Sequence, residues 1–216
     1  MGGRSRGLVR KSDEQLKDCK RMIDPTPSLG FVSKPFPGGG TFTLTSLMGV
    51  FLRRAEEMAG ARDPSWTLLG IEYFGEEEKG AVPHIWFPGD CGQIAIRLTE
   101  NVRNDIPRAA FQLAHEVAHL ISPSGGKHAL NIEEGFATIL AEKMSAEHFG
   151  WNYGMSPSYK AAYDDTKTLL ALAPNAIAKA RDIEPQLWKL KSETLVQAVP
   201  TIDVSVAERL CQVWAS

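Results

Sequence analysis

The segment Gln-Leu-Ala-His-Glu-Val-Ala-His-Leu-Ile, residues 112–121, constrains this chain more than any other stretch. It places His115 and His119 four apart and puts Glu116 directly after the first histidine. On an α-helix, residues four apart stand one above the other on one face. A helix here therefore aims both imidazoles at one point. Leu113, Val117 and Leu120 form an apolar stripe suited to a core, and Ala114 and Ala118 are small enough to let neighbours approach. The plainest reading is a core helix with two incidental histidines. The sharper one is a metal-binding helix, and it requires a third ligand.

Neutral imidazole binds zinc at about 2.0–2.1 Å, and catalytic zinc sites use three protein ligands with a fourth position open. Glu116 lies beside the two rings but out of line with them. A carboxylate there can take a proton from water polarised by the metal and later return it to a leaving amine. The segment Asn-Ile-Glu-Glu-Gly-Phe-Ala, residues 131–137, offers Glu133 and Glu134 as the third ligand. Pro123, Gly125 and Gly126 in the intervening loop let the chain turn back. Glu134 has a structural alternative, as the third-position acid of a helix capped by Asn131. His128 is a further nitrogen donor in the loop.

His-Glu-Val-Ala-His followed by Glu-Glu-Gly-Phe-Ala resembles the zincin metallopeptidases, in particular the gluzincin branch, whose signature is H-E-x-x-H with a later glutamate. Residues 94–145 are also similar to the small ImmA/IrrE-type bacterial peptidases. The resemblance implies Zn2+ as cofactor, held by His115, His119 and Glu134, with Glu116 as catalytic base and a peptide or protein as substrate. It implies that Thr138, one turn after Glu134, is a polar partner for a ligand histidine. It also implies that the strand at 93–100 lines the cleft and holds an extended peptide through its main chain. An oxyanion formed on amide hydrolysis needs a further donor. Tyr153, Tyr159, Tyr163, His128 and His148 are candidates, and the sequence does not choose among them. An intact Glu116 favours a zinc-dependent peptidase over the alternative, a non-catalytic regulatory or protein-binding module on the same scaffold. Endo- versus exopeptidase stays open at this point, with the lack of an amine-anchoring G-x-M-E-N-like string tilting mildly to the former.

Around the motif the pattern predicts an α+β fold. A helix at 45–60 carries Leu47, Val50, Phe51 and Met58 on one face and stops at Gly60. Three strands follow, at 65–74, 83–87 and 92–101, the last alternating Ile94, Ile96 and Leu98 with Ala95, Arg97 and Thr99. Asp105 caps the motif helix, with Pro107 in its first turn. The second motif helix runs over 132–149. Helices are then expected at 159–173, 184–199 and 205–214, the last with Ser205 and Glu208 as a capping box. The resulting organisation is an N-terminal arm and linker at 1–40, a zincin-like metallopeptidase core at 41–150, and a helical C-terminal subdomain at 151–216 packed on it.

The 216 residues are 43% hydrophobic and 23% charged, which suffices for one packed core. A formal net charge of -2 gives no reason to expect nucleic acid or an anionic membrane as partner. The basic arm, with Arg4, Arg6, Arg10 and Lys11, is the local exception, and a short helix capped by Ser12 is expected within it. Cys19, Cys91 and Cys211 are odd in number and lack a C-x-x-C pair, which argues against a disulfide framework and suits a reducing compartment. With no apolar run near the length of a membrane span and no apolar signal core at the start, a cytoplasmic location is expected.

Overall fold

The computed structural model describes residues 34–35, 41–75, 81–89, 92–150 and 156–215. The expected helix at 12–23, the basic arm, Tyr153, Cys19 and Cys91 lie outside the described residues. Over those residues the protein is α+β, with seven α-helices and a three-stranded sheet. Strands β1 (Lys34–Pro35) and β2 (Thr41–Phe42) form a short antiparallel pair ahead of helix α1 (Leu44–Ala59). Thr43 and Ser46 cap α1 reciprocally, and Gly60 closes it at a φ of 84°, a left-handed value that glycine adopts without strain.

Strands β3 (Thr67–Phe74), β4 (His84–Trp86) and β5 (Gln93–Thr99) form the sheet in the order β3-β5-β4. β5 is parallel to β3 and antiparallel to β4. This corrects one expectation. The main chain of β5 is hydrogen-bonded on both flanks, so it cannot receive a peptide. β4 is the edge. Ile94, Ile96 and Leu98 are fully buried, as their alternation predicted, but Ala95 and Thr99 are buried too. Arg97 stays partly exposed, 3.7 Å above the Trp86 ring and 2.5 Å from Glu72.

Helix α2 (Ile106–His119) starts at the expected cap, where Asp105 accepts a hydrogen bond from the Arg108 N–H. Helix α3 (Asn131–Phe149) is capped by Leu130, not Asn131. The Asn131 amide instead donates to the Arg209 carbonyl, and Leu130 forms a β-bridge with Val213. The start of α3 is therefore held by the C-terminal segment.

Helices α4 (Lys160–Leu172), α5 (Ala176–Ile183), α6 (Ser192–Ala198) and α7 (Val204–Leu210) follow. The segment 184–199 is not one helix. Its first part makes only a 3-10 turn at Leu187–Lys189, and α5 fills a stretch to which the sequence pattern assigned no helix of its own. Asp203 rather than Ser205 caps α7, accepting from the Ser205 N–H at 2.8 Å. One apolar core runs from Leu44 to Leu210, joining Phe51 of α1, Leu113 of α2, Phe136 of α3 and Leu169 of α4. No helix among the described residues is long and apolar enough to cross a membrane.

Candidate metal centre and cleft

Helices α2 and α3 pack against each other, and His115, His119, Glu133 and Glu134 meet between them. His115 Nε2 lies 3.2 Å from Glu134 Oε2, and His119 Nε2 lies 3.6 Å from Glu134 Oε1. One nitrogen or oxygen from each of these three residues falls within 4.8 Å of the others. A tetrahedral zinc with bonds of about 2.1 Å separates its ligand atoms by about 3.4 Å. The donor set suits such an ion, and the separations of the two imidazoles from the two Glu134 oxygens bracket that spacing.

Local structure explains the convergence. His115 and His119 share one face of α2, their ring centroids 5.3 Å apart. Glu133 and Glu134 both fall in the first turn of α3, where the helix dipole favours negative charge. Gly135 is what lets this turn be crowded from behind. A Cβ on it would collide with Thr166 Oγ1 and the Ala162 carbonyl of α4, so the α3–α4 crossing requires glycine next to the ligand carboxylate.

Glu116 is 3% exposed, at the floor of the cleft. Burial raises its pKa, against the pull of His115 and His119. Burial acts against charge on His119 as well. There the carboxylates of Glu134, Glu133 and Glu116 outweigh it and push the pKa up to about 10. At Glu134 burial opposes ionisation, yet His119 and His115 hold the carboxyl below its usual range.

Two expected roles change. Thr138 Oγ1 donates to the Glu134 carbonyl at 2.8 Å within its own helix, so it does not reach a ligand histidine. That position is taken by Glu133, which sequence offered as a rival ligand. Its Oε1 lies 3.4 Å from His119 Nδ1, leaving Nε2 free to face Glu134. A carboxylate on the far nitrogen fixes the ring orientation and tautomer of a ligand histidine. The other oxygen, Glu133 Oε2, is buried with no hydrogen-bond partner among the described residues.

Among the candidate oxyanion donors, Tyr159 lines the cleft, its ring edge-on to His115 at 5.6 Å. Burial, then the charges of Glu134 and Glu116, push its pKa up to about 12, so the hydroxyl remains a donor at neutral pH. Tyr163 is hydrogen-bonded to Glu142, and His148 packs on Phe51, both outside the cleft lining. His128 sits exposed in the loop before α3. Trp214 stacks on Tyr159 at 4.8 Å and forms a wall of the cleft. No local pattern signals it. It arrives through the Trp214 N–H to Ala129 carbonyl bond at 2.9 Å, across more than eighty residues of sequence.

The cleft has two lobes, of about 370 and 440 Å³, that share Val82, Pro83, His115, Glu116 and Tyr159. The edge strand β4 borders it through His84 and Ile85. No protein family, curated protein or solved structure matches the chain.

Proposed function

We propose that this chain is a zinc-dependent peptidase of the zincin type, acting on peptide or protein substrates. The observation that carries the reading is the meeting of His115, His119 and Glu134 from two helices, with Glu116 buried beside them in an open cleft. His115, His119 and Glu134 would hold the ion. Bound there, zinc supplies Lewis acidity towards a peptide carbonyl and towards water.

The protein's own groups do the rest. Glu116 takes the proton of the attacking water and passes it to the departing amine. Glu133 keeps His119 turned towards the ligand point. The Tyr159 hydroxyl donates to the negative charge that grows on the substrate oxygen. The outer edge of β4, unpaired among the described residues, offers main-chain N–H and C=O groups to an extended peptide, which then lies across the cleft. Trp214 and Phe87 line the lobe around the ligands and limit water there.

The test is metal analysis of the purified chain, then cleavage of a peptide library by the wild type, by chelator-treated protein, and by Glu116→Gln. The expected result is one equivalent of zinc, with cleavage lost on chelation and in Glu116→Gln. Zinc binding without cleavage of any peptide would favour a binding module instead, and full activity in Glu116→Gln would overturn the mechanism.

A further inference from the structure

The lobe of about 370 Å³ beside the metal centre is bounded by apolar side chains, Val82, Pro83 and Phe111, and by a short polar row along α2. That row is Arg108, Gln112, His115 and Glu116, successive turns of one helix face. Most of its polar neighbours are already committed. The Gln112 amide donates to Thr99 Oγ1 at 2.8 Å and accepts from the Thr99 N–H at 3.1 Å, tying α2 to the end of β5. Thr138 is bonded to its own helix. His115 and Glu116 belong to the metal centre.

Arg108 is different. Its backbone N–H is used by Asp105, but its side chain is exposed at the mouth of the lobe, and among the described residues no carboxylate pairs with it. It is also the one Lys or Arg that lines this lobe among the described residues. A guanidinium is a fork of donors shaped for a carboxylate.

Resting on the peptidase reading above, we propose that Arg108 is a specificity-determining residue that selects substrates carrying a carboxylate near the scissile bond, from an acidic side chain or a free C-terminus. The spacing sets the position. Arg108 and His115 are seven residues apart on one helix, about 10.5 Å along its axis. An extended peptide advances about 3.3 Å per residue. The recognised carboxylate therefore lies within about three residues of the bond that is cut. Arg108 is exposed at the mouth, so solvent screens this pairing, and the walls of Val82, Pro83 and Phe111 pack the neighbouring parts of the substrate.

Binding, rather than turnover, is the decisive readout. Fluorescein-labelled peptides with Glu, Gln or Arg at each position, each made as free acid and as C-terminal amide, are titrated by fluorescence anisotropy into zinc-loaded Glu116→Gln protein. The expected result is a Glu-over-Gln or acid-over-amide preference of about tenfold at one position. Arg108→Ala should erase it, Arg108→Glu should reverse it towards Arg peptides, and Arg53→Ala, on another face, should leave it intact. The Glu and C-terminal arms separate the two sources of the carboxylate. Equal dissociation constants across the set, a preference that survives Arg108→Ala, or no binding of any peptide would overturn the proposal. Wild-type cleavage of the same peptides without carboxylate preference would overturn it while leaving the peptidase reading standing.

Discussion

Two polar clusters lie inside this molecule and are built on opposite terms. The first surrounds Arg181 of α5, whose guanidinium donates to the carbonyls of Ala59 at 2.7 Å, Gly60 at 3.1 Å, Ala61 at 2.9 Å, Ile121 at 3.2 Å and Pro185 at 3.2 Å. Ala59, Gly60 and Ala61 lie at the end of α1, Ile121 just past α2 and Pro185 just past α5, so one side chain ties three helix ends together. The second is the group of three carboxylates and two imidazoles between α2 and α3. Here Glu133 Oε2 is buried with no hydrogen-bond partner among the described residues, and burial raises the pKa of Glu116. A cluster kept for stability completes its hydrogen bonds. One that leaves buried charge incomplete costs stability, and is retained where the side chains serve a ligand.

The sharpest way to break this contrast is Glu116→Gln. Activity on a cleaved peptide is expected to fall by about 10²- to 10⁴-fold, the usual worth of a general base. The melting temperature of the metal-free protein is expected to hold or rise, because a buried charge is removed. A large drop in melting temperature would mean that Glu116 is a structural residue. Glu133→Gln acts more gently. Zinc affinity, measured by competition with a chromogenic chelator, is expected to weaken about 10- to 100-fold with the fold intact.

Arg181→Ala should do the reverse. Chemical denaturation is expected to show a loss of about 3 kcal/mol, since several charge-assisted bonds go at once and leave carbonyls unpaired. Zinc affinity of the folded fraction should be unchanged. Arg181→Lys should recover only part of the loss, because an ammonium cannot span the carbonyls that the fork reaches. A stability loss of about 1–3 kcal/mol is expected for Gly135→Ala, from forcing α3 off α4. Its effect should extend to zinc binding, because Glu134 is the preceding residue.

Acidity separates the clusters by a smaller margin. In the metal-free protein the pKa of His119 is raised from 6.5 to about 10, so its stabilising contribution is fully present below about pH 6.5 and is lost as pH rises through about 10. Thermal melts of metal-free wild type and His119→Asn across that range should therefore converge as the pH rises. The gap between wild type and Arg181→Ala should stay constant there, because a guanidinium remains charged throughout.

What could be read from the sequence was local in the chain. Helical spacing put His115 and His119 on one face, the Asp105 cap and Gly60 stop follow from their own backbones, and the alternation in β5 found Ile94, Ile96 and Leu98 in the core but not the burial of Ala95 and Thr99. What could not be read depends on packing between distant segments. Nothing in the 93–99 pattern says that β5 has neighbours on both flanks. The choice between Glu133 and Glu134 turns on how α3 rotates against α2, and that rotation is set in part by Gly135 meeting α4. The N-cap of α3 moved from Asn131 to Leu130 because Val213 bridges there, and the same return of the chain delivers Trp214 to the cleft. The roles of Arg181 and Arg108 rest on carbonyls and walls that come together only in the folded protein.

X-ray absorption at the zinc edge of the loaded protein tests the central claim most directly. The expected result is two histidine nitrogens and a carboxylate oxygen at about 2.0–2.2 Å, with one ligand lost in each of His115→Ala, His119→Ala and Glu134→Ala. A protein that takes up no zinc, or a coordination shell unchanged by all three substitutions, would contradict the account.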